Sequence, residues 1–277
     1  MEAGTPTTDL LEITVMGCGS SSGVPQIGGP DGRGDWGSCD PAEPRNRRTR
    51  TSIVIRAPDD RRLLVDTGPD LREQLLANGI PYADAIFYTH EHADHIAGLD
   101  DVRPFNWALR RPIEAFGTEQ TIAGIRQRFD YAFRPWTDNA FFRPGVEAKP
   151  ILPGERLSVI GLELDVFEQD HGRVTSLGFR CGGFAYCTDV VRQTDDVLAI
   201  LEGVDTWMVD CLQFGPHSAH AWLERVLEWV SCIKPRRTIL THLGPSMDWA
   251  TMKRDLPSGI EPAWDGMIFT APGALAS

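Results

Sequence analysis

The chain has 277 residues, 42% of them apolar and 24% charged, which is ample for a buried core and near the globular average in charge. Its formal net charge of −12 repels long polyanions, so a nucleic-acid partner is disfavoured unless a local basic patch overrides it. No apolar run reaches the ~18 residues of a membrane span, the N-terminal stretch lacks the basic and apolar regions of a secretory leader, and the six cysteines form no C-x-x-C pair; a cytoplasmic chain with reduced thiols and no membrane partner is expected.

In chain order, Leu11–Gly17 reads as a strand, and GCGSSSG after it reads as a tight turn that lets backbone approach a site. That turn lacks the lysine of a P-loop, and its glycines do not fit G-x-G-x-x-G. Residues 44–50 (PRNRRTR) form the one basic cluster, with a small echo at Arg110 and Arg111; the cluster reads either as a solvated loop or as an anion contact. Thr51–Ala57 and Arg61–Gly68 read as strands joined by a hairpin turn at Pro58-Asp59-Asp60. Asp70–Gly79 reads as a helix opened by Asp70 and closed by Asn78-Gly79. Ala83–His90 reads as a buried strand, and a helix is predicted from His95 to about Asn106. Ile113–Gly117 is strand-like, and Thr118–Phe133 has helical spacing with Thr118 as N-cap. The aromatics of residues 118–146 (Phe129, Tyr131, Phe133, Trp136, Phe141, Phe142) are expected to pack a helix and loop onto the body, with a lid or a homodimer contact as the alternative.

The second half repeats the style. Strands are predicted within Glu155–His171, Thr175–Cys181 and Phe184–Asp189, with turns at Gly161, His171-Gly172 and Gly182-Gly183. A helix over 195–202, a strand over Asp205–Cys211, an amphipathic helix over Ser218–Ile233 and a strand over Arg236–His242 follow. Both halves run strands first and helices later without a linker, a pattern that two packed sheets with helices outside satisfy as one domain.

Three of the seven histidines stand between His90 and His95, in His90-Glu91-His92-Ala93-Asp94-His95. A zincin H-E-x-x-H would need its second histidine at Asp94, so that motif is excluded. In extended chain His90, His92 and Asp94 share a face, while His95, at the turn into a helix, aims at a neighbouring point. The spacing suits a strand end that serves two adjacent metal ions, because neutral imidazoles and carboxylates ligate zinc or manganese, and the cations remove the repulsion protonated histidines would suffer. The plainer reading is a set of surface histidines with Asp94 as a helix cap. One cluster cannot fill two coordination shells, so further donors are expected at later strand ends. His171, Asp189 and His242 each follow an apolar run in that way.

Taken together, Asp66 in LLVDTGP, HEHADH, His171, Asp189 and His242 resemble the ordered motifs of the metallo-β-lactamase superfamily of binuclear hydrolases. The resemblance implies an α/β fold, a four-layer αββα sandwich in a single domain spanning residues 1–277, with residues 1–10 flexible. It implies two divalent ions, Zn²⁺ or Mn²⁺: His90, His92 and His171 on one, Asp94, His95 and His242 on the other, and Asp189 bridging, with Asp66 orienting the ligands from behind. Within the superfamily, GCGSSSGVPQIG, VDCLQ, ILTH and LPSGIEPAWDGM resemble the phosphoribosyl cyclic phosphodiesterases of carbon–phosphorus lyase pathways. That likeness implies a small anionic phosphate-ester substrate and gives His220 the role of protonating the leaving oxygen or holding the phosphate, with His217 a weaker candidate. His220 is also expected to start a helix whose N-terminus favours an anion.

Those enzymes carry an extra structural zinc on early-loop cysteines and on a histidine after ILTH. Here the loop retains only Cys39, and His242 is followed by LGPSMD, so two metals rather than three are expected and the loop must be ordered otherwise, by a phosphate or an ion pair on its arginines. Other superfamily functions are a nuclease of the tRNA-processing type, a quinone-cofactor-biosynthesis protein, and a thioesterase or lactonase.

Overall fold

A computed structural model of the chain describes residues 10–137 and 142–276. Of the segments singled out above, residues 1–9 and Phe141 therefore lie outside the described residues, and Leu10 already belongs to the first strand.

Strands β1 (Leu10–Gly17), β2 (Ser52–Arg56) and β3 (Arg62–Val65) pair antiparallel, and β3 continues in parallel to β4 (Ala85–Phe87), β5 (Ile113–Gly117) and β6 (Val146–Pro150). The second sheet mirrors this plan. Strands β7 (Arg156–Val159), β8 (Leu162–His171), β9 (Val174–Cys181) and β10 (Phe184–Cys187) are antiparallel, and β10 leads in parallel to β11 (Thr206–Asp210), β12 (Arg237–Thr241) and β13 (Ile260–Pro262). The last strand, β14 (Ile268–Pro272), returns to the first sheet beside β1.

Strand periodicity sorts the side chains into layers. Ile53, Ile55, Leu63, Val65, Ala85 and Phe87 face the second sheet in the larger core, whereas Val54, Leu64 and Ile86 face outward into a second core. That outer core is closed by Leu71 and Leu75 of helix α1 (Leu71–Ala77), Phe105 of α3 (Arg103–Leu109) and Ile125 of α4 (Glu119–Arg128). Between the sheets, Phe87 and Phe179 meet edge-to-face at 5.2 Å. Helices α5 (Asp195–Leu201) and α6 (Leu223–Ile233) cover the far side through Val197, Leu201, Val226 and Trp229, and α7 (Trp249–Asp255) packs by β13. Two mixed sheets flanked by helices give the four-layer α/β sandwich. No helix among the described residues is long and apolar enough to cross a membrane.

Several local expectations change. The helix foreseen from His95 to Asn106 is three pieces: α2 (Ala93–Ile96), a 3-10 turn at Leu99–Val102, and α3. The break has a packing cause. A Cβ on Gly98 would lie 2.1 Å from the Gly68 carbonyl oxygen, and the Gly98 N–H donates to the Thr67 carbonyl, so the chain must turn here to hold the Thr67–Gly68 loop. Pro104 then opens α3. The helix foreseen from Ser218 begins only at Leu223, because Leu212 N–H donates to the Ala221 carbonyl and Leu223 N–H to that of Gln213, which keeps residues 218–222 off the helix. His220 is therefore not at a helix N-terminus.

The arginines of the cluster engage the protein itself, with the ion pairs expected of the loop. Arg45 pairs with Glu43 and stacks over Trp249, Arg47 lies over Trp36, Arg50 pairs with Asp70, and Arg48 is buried. Hydrogen bonds from Arg48 to neutral groups also hold the early loop against the segment after His242. In the aromatic segment, Phe129, Tyr131 and Phe133 pack on the outer core and Trp136 lies against Gly145, while Phe142 is exposed. The six cysteines are unpaired, five of them buried.

Gly98 has ordinary negative φ, so replacing it tests the contact alone. Gly98→Ala should cost about 1–3 kcal/mol by overpacking against Gly68. Urea unfolding of the metal-free protein measures it.

Candidate metal centre

The expected donors gather where strands run out, with His92, Asp94 and His95 following His90 into α2. His90 follows β4, His171 ends β8, Asp189 follows β10, His242 follows β12 and Asp66 follows β3. Asp66, Asp189 and His242 leave their strands with φ of 64°, 51° and 56°, left-handed conformations that non-glycine residues seldom adopt, and the sharp turn swings each side chain into the space between the strand ends.

His90 Nε2 lies 2.9 Å from His92 Nδ1, and His171 Nε2 lies 3.3 Å from the same atom. Asp189 Oδ2 stands 3.5 Å from His90 Nε2, 3.6 Å from His171 Nε2 and 3.3 Å from His95 Nε2. On its other side, Asp189 Oδ1 is 2.7 Å from His242 Nδ1. Three overlapping donor sets result among the described residues, His90–His92–His171–Asp189, His95–Asp189–His242 and Asp210–His220–His242, each with its ligand atoms within 4.8 Å of one another; the first two share Asp189. Asp94 flanks the second set, its Oδ2 3.4 Å from His95 Nε2.

Neighbouring groups fix which nitrogen of each ring is free. His171 donates Nδ1–H to the Ala219 carbonyl at 2.6 Å, leaving Nε2 for the centre. His95 donates Nδ1–H to Asp66 Oδ2 at 2.7 Å. The Thr89 hydroxyl also donates to Asp66 Oδ2, at 2.8 Å, and so accepts Nδ1–H from His90 at 3.0 Å. Asp66, fully buried, thus orients His95 directly and His90 through Thr89, while its Oδ1 accepts the Thr89 N–H.

The electrostatics call for a cation. Burial pushes His90 well below its ordinary pKa and lowers His171 too, so both are neutral donors. Burial also works against charge on His95, but Asp189, Asp66 and Asp94 outweigh it and hold that imidazole well above its usual range. Burial acts to raise Asp94 and Asp189, yet the surrounding histidines win and keep both carboxyls below theirs. A bound divalent ion would replace the proton on His95, so metal uptake should strengthen as pH rises.

The donors also fit an ion by geometry. Ligand nitrogens around a tetrahedral zinc, at Zn–N distances near 2.0–2.1 Å, stand about 3.3 Å apart, as the first set nearly does. The buried atoms His95 Nε2 and His242 Nδ1 have no hydrogen bond of acceptable geometry despite their nearness to Asp189, an arrangement that costs free energy unless something else ligates them.

Beside the centre opens a cavity of about 390 Å³, lined by Ser20, Ser21, Ser22, Gln26, Gln213 and Ser246 among others, with His217 and His220 on its inner side. His220 donates Nδ1–H to Asp210 Oδ2 at 2.8 Å. Burial disfavours charge on the ring, but Asp210 outweighs it and the pKa is pushed up to about 9. Asp210 is fully buried and closes β11 as the other site residues close theirs; the strand-end rule could have found it, and sequence reasoning passed it over. Thr89 and the Ala219 carbonyl carried no signal of their own. His217 Nδ1 accepts the N–H groups of Ala219 and His220, which shapes the turn that presents His220, and its ring also lines the cavity.

This geometry agrees with three comparisons. A family profile described as "Beta-lactamase superfamily domain" matches residues 61–243. A crystal structure of a new diphosphatase from the PhnP family superposes with a TM-score of 0.86 at 33% identity, covering 96% of this chain and 99% of that one. Zn²⁺-bound PqqB from Methylobacterium extorquens shares the fold, with a TM-score of 0.72 at 20% identity over 93% of this chain and 99% of that one. Among curated proteins, an octanoyltransferase of Porphyromonas gingivalis is 29% identical over 93% of this chain but only 51% of its own length, so the chain spans about half of that relative. The chain belongs to the metallo-β-lactamase superfamily and, within it, to the PhnP family.

Proposed function

We propose that the chain is a binuclear phosphodiesterase acting on a small phosphate ester. One observation carries this reading: two donor sets share Asp189, with the buried nitrogens His95 Nε2 and His242 Nδ1 turned toward it without a hydrogen bond of acceptable geometry, beside a cavity of about 390 Å³. The phosphorus chemistry named for the PhnP-family diphosphatase supports the substrate class. The polar cavity lining consists of hydroxyls, amides and imidazoles rather than stacking aromatics or a basic track, which favours a small hydroxyl-rich ester over a nucleic-acid strand.

His90, His92 and His171 would hold one ion and His95, Asp94 and His242 the other, with Asp189 between them. When bound, two divalent ions supply a water activated at neutral pH and positive charge for the phosphoryl oxygens. The chain's own part is to keep those donors rigid, through Asp66, Thr89 and the Ala219 carbonyl, and to move a proton. His220 gives its Nδ1–H to Asp210, so Nε2 is the nitrogen that carries a proton to the departing oxygen. Asp210 favours the protonated ring, which suits His220 to act as the acid at neutral pH.

Asp189→Ala should lose both metal retention and turnover, as elemental analysis after dialysis and a bis(p-nitrophenyl) phosphate assay would show; normal metal content with a normal rate removes Asp189 from the centre. His220→Ala should keep its metal but lose about 10²–10⁴-fold with alkoxide leaving groups, and far less with p-nitrophenolate, which departs unprotonated. Equal losses on both would refute proton donation. His220 is protonated below its pKa, so the rate with alkoxide leaving groups should fall as pH rises through it. Asp210→Asn removes the charge that raises that pKa and should move this alkaline limb to lower pH in a kcat/KM profile.

A further inference from the structure

We propose that Arg48 is a positioning residue that fixes the separation of the two walls of the substrate cavity and thereby its selectivity. One wall is the serine turn, contributing Ser20, Ser21, Ser22 and Gln26; the other is the segment after β12, contributing Gly244, Pro245 and Ser246. At their base the walls are joined backbone to backbone, with Ser20 N–H donating to the Leu243 carbonyl at 3.2 Å. Beyond that point they diverge, and Arg48 spans the gap.

Its main chain belongs to the first wall. Arg48 N–H donates to the Val24 carbonyl at 2.8 Å, and Val24 N–H donates back to the Arg48 carbonyl at 2.9 Å. Gly19 lets the turn lie against this residue, because a Cβ there would come within 2.9 Å of the Arg48 Cβ. Its side chain belongs to the second wall. One guanidinium nitrogen donates to the Gly244 carbonyl at 3.3 Å, and the other to the Met247 carbonyl at 2.6 Å and to Asn46 Oδ1 at 3.1 Å.

Two features set Arg48 apart from its neighbours Arg45 and Arg50, which have carboxylate partners. It is 2% exposed, and its hydrogen-bond partners are all neutral, with Nε finding none. A guanidinium buried without a counter-ion is costly, and a rigid fork that reaches two carbonyls of one loop is what lysine or methionine cannot reproduce. The asymmetry of its bonds, main chain to one wall and side chain to the other, means that truncating the side chain frees one wall, while the bonds of Leu243 to Cys18 and Ser20 still hold the chain beside His242.

The test compares wild type with Arg48→Met and Arg48→Lys, the second keeping the charge and removing only the fork should the first fail to fold. Each is loaded with zinc and assayed on bis(p-nitrophenyl) phosphate and on methyl p-nitrophenyl phosphate, which share a leaving group and differ in bulk. KM for the bulkier ester should rise about tenfold with kcat within about threefold, while the smaller ester is little changed. Hydrogen exchange should rise about tenfold or more at the amides of 244–247, with 19–24, held by main-chain bonds, and β2–β4 unchanged. Amides of 244–247 that keep their protection overturn the proposal, as do equal losses of kcat and KM on both esters, the signature of a merely structural residue. The kinetic arm rests on the phosphodiesterase reading. If wild type turns over neither ester that reading fails, and the exchange result alone still decides whether Arg48 sets the walls.

Discussion

A buried carboxylate set among four imidazoles is the constraint on which the rest of this structure depends. Asp189 lies within 3.6 Å of ring nitrogens from His90, His95, His171 and His242, which arrive from three separate strand ends. Such a cluster is unfavourable in isolation, because it is withdrawn from water while its polar atoms are incompletely paired. Positive charge at its centre resolves both problems. The supporting contacts only make sense as arrangements that hold free nitrogens toward that point: Asp66 on His95, Thr89 on His90, and the Ala219 carbonyl on His171.

The fold explains how one point can gather donors so distant in sequence. Each half of the chain runs an antiparallel meander into a parallel segment, and the two sheets pack with their strand ends at one edge of the sandwich. The first half supplies Asp66 and the His90–His95 cluster, and the second supplies His171, Asp189, Asp210 and His242. Either half alone would leave an incomplete set, so the centre exists only where the two sheets meet. The packing between them, through residues such as Phe87 and Phe179, therefore bears directly on donor geometry.

Much of this was legible in the sequence because its causes are local. Period-two burial marks β2 and β3, Thr118 caps α4 by accepting the Thr121 N–H, and the H-x-H-x-D-H spacing declares itself within six residues. His171, Asp189 and His242 were recoverable because each ends an apolar run. What escaped has long-range causes. The helix after His95 breaks because Gly98 must meet Gly68, a contact across thirty residues that no periodicity carries. The helix expected at Ser218 is delayed by pairing of Ala221 and Leu223 with Leu212 and Gln213. Strand β6 has one buried residue of five, and β13 is three residues long, so neither offers a pattern to read. Composition shows the charge of the arginine cluster but not that Arg48 is buried.

The central claim is that the Asp189 cluster is a divalent-cation centre required for hydrolysis. Its most direct test is elemental analysis of the intact chain after zinc or manganese loading and exhaustive dialysis, titrated against turnover of bis(p-nitrophenyl) phosphate. The account predicts two ions per chain, with the rate rising in step with occupancy and vanishing on chelation. A chain that retains no ion, or one whose rate is indifferent to chelation, would contradict it.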